Sequence, residues 1–81
     1  MIVKVKLFAV AKQAAGRDSI ELELPPEAVI ADVRRALVAA VPGLASAAKH
    51  LMFAVGTDYA ADTKIVGPTD EVACIPPVSG G

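Results

Sequence analysis

Alternation of apolar and polar side chains at the start of the chain constrains the fold more than any other feature of the sequence. Val3, Val5 and Leu7 share one parity, and two lysines lie between them. A period of two residues is typical of a strand with one buried and one wet face. The run predicts a strand over 2–8, in which Phe8 ends the otherwise polar face.

Four later runs are also interpreted as strands. Residues 19–24 alternate clearly, and Pro25 and Pro26 stop this strand because proline cannot donate to a strand ladder. Residues 51–55 and 71–75 are strand candidates, and a very short strand over 59–61 is the weakest of the set.

The strand predicted over 71–75 carries one residue that is expected to be buried and one that is expected to be exposed. Alternation over 71–75 points Cys74 into the core and Ile75 to the open face. Cys74 is therefore expected to be a small buried residue and not a nucleophile, since no basic neighbour lowers its pKa. If the first and last strands are neighbours, Ile75 lies beside Phe8, and this exposed apolar pair predicts a docking surface.

Two helical segments separate the strands. Residues 9–15 are good helix formers followed by Gly16, which suits a left-handed C-cap. Residues 30–41 repeat apolar side chains at spacings of three and four, and Pro42 follows them.

Arg34 and Arg35 are expected to lie on the solvated face of this helix, and residues 44–50 are expected to form one helical turn. The order of elements predicts the α+β class, with a β-grasp arrangement in which the final strand returns beside the first and the mixed sheet carries one main helix packed on one face.

Composition excludes several classes of function. Eighty-one residues allow one domain, and a formal net charge of −1 gives no basic excess for nucleic acid. One Cys and one His exclude a disulfide framework and a structural zinc site, and no apolar run approaches a membrane span. We expect a cytoplasmic protein without a bound cofactor or metal that is not an enzyme on its own, with no nucleic-acid or membrane partner.

The end of the chain is set apart from the predicted domain over 1–75. Residues 76–81 begin with two prolines, which favour extended geometry, and end with two glycines, which lack a Cβ. Such a tail can enter a narrow channel and deliver the Gly81 carboxylate to another protein's active site. Activated there as an acyl-adenylate, the carboxylate would be open to a sulfur or amine nucleophile.

The run from Asp70 to Gly81, which ends Pro-Pro-Val-Ser-Gly-Gly, resembles the C-terminal signature of the MoaD family, the small sulfur-carrier subunits of molybdopterin synthase. The opening strand and the length are also similar to that family, which belongs with the ubiquitin-like MoaD/ThiS sulfur carriers. Carriers of the thiamine pathway share the two glycines but usually lack the two prolines.

The resemblance implies a reaction cycle. An E1-like adenylating enzyme would use ATP to activate the Gly81 carboxylate, and a sulfur donor protein would convert it to a thiocarboxylate. In a heterotetramer with the large synthase subunit, the sulfur would pass to cyclic pyranopterin monophosphate during molybdenum cofactor biosynthesis. Gly80 accompanies Gly81 at the reacting end of the tail.

The resemblance also implies a partner interface. Phe8, Tyr59 and Ile75 match family positions that pack on the large subunit, although aromatics are frequent where Ile75 stands. We expect the interface to comprise Phe8, Tyr59, Ile75, Pro76, Pro77, Val78 and Ser79. Three alternatives remain: a sulfur carrier of thiamine type, a ubiquitin-like modifier joined to lysines through Gly81, and an interaction module with an inert tail.

Overall fold

The computed structural model describes residues 1–77. This part of the chain forms five strands, two α-helices and one 3-10 helix. In chain order they are β1 (Ile2–Leu7), α1 (Ala9–Ala15), β2 (Ser19–Glu23), α2 (Ile30–Ala40), the 3-10 helix (Pro42–His50), β3 (Met52–Val55), β4 (Asp58–Ala60) and β5 (Val72–Ile75).

The strands form one mixed sheet in the order β2-β1-β5-β3-β4. The central strand β5 is parallel to its neighbour β1, and the other neighbouring pairs are antiparallel. The predicted return of the last strand to the side of the first is therefore confirmed. The α+β class and the mixed sheet are confirmed with it.

The core lies between one face of the sheet and α2. Buried side chains of both elements belong to a single apolar cluster. From β1 and α2 the cluster includes Val3, Val5, Leu7, Ile30, Val33 and Leu37. Cys74 of β5 is fully buried in the same cluster, as its parity predicts.

The start of α2 is held by a distant loop. The helix begins at Ile30 without a Ser, Thr, Asp or Asn side chain in the N-cap position. The backbone N–H of Ile30 donates to the carbonyl of Lys64 at 2.9 Å, and that of Ala31 donates to the carbonyl of Asp62 at 3.0 Å. These carbonyls satisfy two of the amide groups that a helix N-terminus leaves free.

Arg34 corrects one interpretation of the sequence, which placed it on a solvated helix face. Its side chain is only 20% exposed. The guanidinium donates to the carbonyls of Ala48 and Leu51 at 2.7 and 2.6 Å and to Asp62 Oδ1 at 2.7 Å. Its central carbon lies 5.2 Å from the centroid of the Phe53 ring. Arg34 thus joins α2 to the end of the 3-10 helix, to β3 and to the loop after β4.

The helices of residues 1–77 are short, and none of them has both the length and the apolar character needed to cross a membrane. The 3-10 helix is longer than the single turn expected over 44–50 and begins at Pro42. Proline suits a first helical position because its φ is already near the helical value, and the buried Leu44 fixes the segment to the core.

Candidate partner-docking surface

The sheet face opposite α2 carries a line of apolar side chains at one end. Ile75 pairs with Met52 across β5 and β3. Phe8 follows Leu7, whose partner on β5 is Cys74, so Phe8 comes beside Ile75. Phe8 and Met52 are each 47% exposed, and Ile75 is partly buried. We call Phe8, Ile75 and Met52 the apolar row.

A second line of side chains crosses the same face, next to the apolar row along the strand direction. Lys6 pairs with Ala73, Ala73 pairs with Ala54, and Ala54 pairs with Tyr59. Tyr59 is largely exposed at the sheet edge, whereas Ala54 is buried. Small side chains in the middle and an aromatic ring at the edge make this line shallow, so a partner can approach the backbone closely there.

A third line, farther along, is charged. Lys4 pairs with Glu21 in the ladder between β1 and β2, and Glu71 immediately precedes β5. Among the described residues no ion pair joins Lys4 to Glu21. The face is therefore graded from charged to apolar along the strand direction of β5.

The chain leaves the sheet at the apolar end of this face. β5 ends at Ile75, and the next residues are Pro76, which is buried, and Pro77, which is exposed. The predicted exposure of Phe8 is confirmed, whereas Ile75 is only partly exposed. Tyr59 is exposed as well, and contact of these three residues with a partner stays a prediction. The other predicted site residues, Val78, Ser79, Gly80 and Gly81, lie outside the described residues.

The buried thiol of Cys74 is unreactive. Burial raises the pKa of its thiol from 9.0 to about 11, which outweighs the opposing charge of Arg34, a basic neighbour that the sequence did not indicate. The thiol is therefore protonated at neutral pH and is a poor nucleophile. Within residues 1–77 no three His, Cys, Asp or Glu side chains come together as a metal site.

Met52 is the surface residue that sequence reasoning missed. Residues 51–55 are all apolar, so the run shows no alternation that marks an outer face. Leu51 and Phe53 are buried while Met52 points to the open face. The available signal was parity: once Phe53 is assigned to the core as the larger aromatic, Met52 must face outward.

The mixed sheet, the single main helix across one face and the chain end that continues from a central strand together define a ubiquitin-like β-grasp domain. The solved structure of SAMP1 from Haloferax volcanii, a small archaeal modifier protein, has the same fold. It superposes with a TM-score of 0.84 at 28% identity and covers 100% of both chains.

Sequence comparison identifies the family to which this β-grasp domain belongs. The ThiS family model matches residues 5–81, and the chain belongs to the ThiS family. A Chlamydomonas reinhardtii relative, molybdopterin synthase sulfur carrier subunit, is 37% identical over 83 residues, covering 100% of both chains. The Arabidopsis thaliana protein of the same name is 34% identical over 79 residues, covering 98% of this chain and 82% of that protein. The resemblance to the MoaD/ThiS carriers is thereby confirmed.

Proposed function

We propose that the chain is the sulfur carrier subunit of a molybdopterin synthase, a protein substrate and not a catalyst. The observation that carries the proposal is the position of the apolar row, where central strand β5 leads without a turn into Pro76 and Pro77. The full-length relatives that bear this name support the same assignment.

In this proposal the reactive group is the Gly81 carboxylate. On an adenylating enzyme it attacks the α-phosphorus of ATP and releases pyrophosphate, which leaves an acyl-adenylate. Sulfide-level sulfur (HS⁻) delivered by a donor protein attacks the acyl carbon, breaks its bond to AMP and leaves a thiocarboxylate. In the active site of the large synthase subunit this sulfur passes to cyclic pyranopterin monophosphate, and water restores the carboxylate. ATP binds the adenylating enzyme and is not a cofactor of this chain.

The docking step is assigned to the apolar row and Tyr59. Phe8 and Met52 present exposed apolar area next to the chain exit, and aromatic side chains are the commonest energetic anchors of protein interfaces. Lys4 and Lys6 lie beyond them on the same face, where exposed charges influence the rate and orientation of encounter more than affinity. Apolar contacts close to the tail then hold the tail at the partner's cavity.

The charging reaction is the first test. The full chain is incubated with ATP, an adenylating enzyme and a sulfur donor, and intact mass spectrometry should show the exchange of one oxygen for one sulfur. Gly81→Ala should impair charging because it adds a Cβ next to the reacting carbon. Gly43→Ala is the matched control, since its new Cβ would meet only the Ala14 Cβ, at 3.6 Å. Normal charging of Gly81→Ala would contradict the steric argument.

The second test separates this pathway from its alternatives. The charged chain is mixed with the large synthase subunit and cyclic pyranopterin monophosphate, and conversion to molybdopterin with return of the carboxylate supports the proposal. Charging followed by no transfer would instead favour a carrier of thiamine type. A chain that binds the large subunit but is never charged would be an interaction module.

A protein modifier is the second candidate, favoured by the match to SAMP1 over the whole chain. Both functions require an activated Gly81, and they differ in the nucleophile that follows. Lysine-linked conjugates, detected by mass spectrometry as isopeptides to Gly81, would support the modifier. A thiocarboxylate that forms without conjugates in the same mixture would support the carrier.

A further inference from the structure

Ala9, which follows Phe8 of the apolar row, has an uncommon backbone conformation. Its φ is +51°, in the left-handed region that residues other than glycine, asparagine and aspartate rarely enter. Ala9 is exposed, so burial of its methyl group does not explain this left-handed conformation. A strained residue next to a candidate docking side chain is an observation from which function can be inferred.

The conformation makes the turn between β1 and α1 in a single residue. β1 ends at Leu7, Phe8 is still extended with φ −126° and ψ 155°, and α1 begins at Ala9. The backbone of Phe8 therefore keeps the direction of the strand while the next residue already belongs to the helix. The left-handed turn at Ala9 joins these two directions.

Hydrogen bonds fix the backbone on both sides of this turn. The carbonyl of Phe8 accepts from the amides of Ala11 and Lys12 at 3.1 and 3.4 Å. On the strand side, the amide of Leu7 donates to the carbonyl of Asp18 at 2.8 Å. Ala11 is fully buried, so α1 cannot rotate away without exposing it. Phe8 is thus held in place by its backbone while its ring is half exposed.

We propose that Ala9 is a positioning residue, whose left-handed conformation holds Phe8 in the orientation used for docking before any partner arrives. A side chain ordered in advance loses less conformational freedom on binding, so association is tighter. The partner in this inference, an apolar surface beside the cavity that takes the tail, rests on the proposed function. The orientation of Phe8 in the free chain is independent of the proposed function.

Two substitutions of similar size separate a backbone role from direct contact. Asparagine adopts positive φ readily, whereas β-branched valine does not. Ala9→Asn should bind the large synthase subunit within about two-fold of the unaltered chain, and Ala9→Val should bind about five- to ten-fold more weakly. Equal losses in the two variants would show that Ala9 touches the partner itself and would overturn the inference.

A double-mutant cycle tests whether the effect passes through Phe8. In a Phe8→Ala background, Ala9→Val should cause no further loss of affinity, because no ring remains to be positioned. An undiminished loss in that background would overturn the inference. Should Ala9→Val fail to fold, Ala9→Leu takes its place and should show the same pattern with a smaller loss.

A measurement on the free chain keeps this inference separate from the proposed function. Fluorophenylalanine labelling gives two ¹⁹F signals, since the chain has two phenylalanines, and the buried Phe53 is an internal monitor of folding. Ala9→Val should shift or broaden the Phe8 signal alone, and Ala9→Asn should change neither. An unchanged Phe8 signal in Ala9→Val refutes the positioning role. Failure of the unaltered chain to bind the large subunit refutes the proposed function instead.

Discussion

Substitution of Arg34 tests whether one guanidinium joins three parts of the fold. Arg34→Met keeps most of the stem and removes the bonds to the carbonyls of Ala48 and Leu51 and to Asp62. Hydrogen bonds from a charged donor contribute about 1.5–3 kcal/mol each, and the ion pair with the largely exposed Asp62 adds at most about 1 kcal/mol. Water replaces part of this and the terms do not add fully, so we expect the free energy of unfolding to fall by about 3 kcal/mol.

That loss is large for a domain of this size, whose total stability is on the order of 4–12 kcal/mol. The Tm should fall by about 12–24 °C. Urea and thermal unfolding followed by far-ultraviolet circular dichroism measure both quantities in a chain that has no tryptophan. Arg35→Met is the matched control, because Arg35 is 71% exposed and pairs with Asp32, and it should cost less than about 1 kcal/mol. Equal losses in the two variants would refute the reasoning.

Three further predictions concern single side chains. Phe8→Ala should weaken binding to the large synthase subunit by about 1–3 kcal/mol in calorimetry, with no more loss of Tm than the similarly exposed Val10→Ala; a large drop in Tm with normal binding would place Phe8 in the core. The raised pKa of Cys74, about 11 against 9.0, predicts slow native alkylation by iodoacetamide at pH 8 and a stability contribution that is intact below pH 9 and lost as the pH rises toward 11. Cys74→Ala should lack that loss, and rapid native alkylation would contradict the burial argument. Asp32→Ala should lower stability by about 1 kcal/mol in urea unfolding, because Asp32 Oδ2 accepts the Val29 amide at 2.9 Å near the positive end of α2; an unchanged midpoint would show that this bond contributes nothing.

Side-chain periodicity was sufficient to predict the sheet and the main helix. Val3, Val5 and Leu7 are buried and Lys4 and Lys6 are exposed, because a strand with one covered face sorts its residues by parity. The same reasoning places α2 to within one residue of its observed end. These features depend on the burial of apolar side chains, and the spacing of those side chains can be seen within short stretches of the sequence.

Features that depend on backbone groups could not be predicted in this way. The carbonyls of Lys64 and Asp62 hold the start of α2, and a carbonyl has the same chemistry in every residue. The sequence favoured a surface position for Arg34 because two of its three hydrogen-bond acceptors are also backbone carbonyls. Alanine favours an ordinary helical conformation, so the positive φ of Ala9 could not be predicted from its residue type.

The parallel pairing of β1 with β5 has a consequence for biosynthesis. During synthesis β1 must wait for β5 to emerge from the ribosome, since this parallel pair joins strands that are far apart in sequence. Until Ile75 has emerged, β1 and β3 each lack the neighbour between them, and a prematurely terminated product keeps two unsatisfied inner edges open to proteolysis and aggregation. Synthesis itself therefore ensures that a stable sheet is found only on molecules that have been translated as far as the start of the tail.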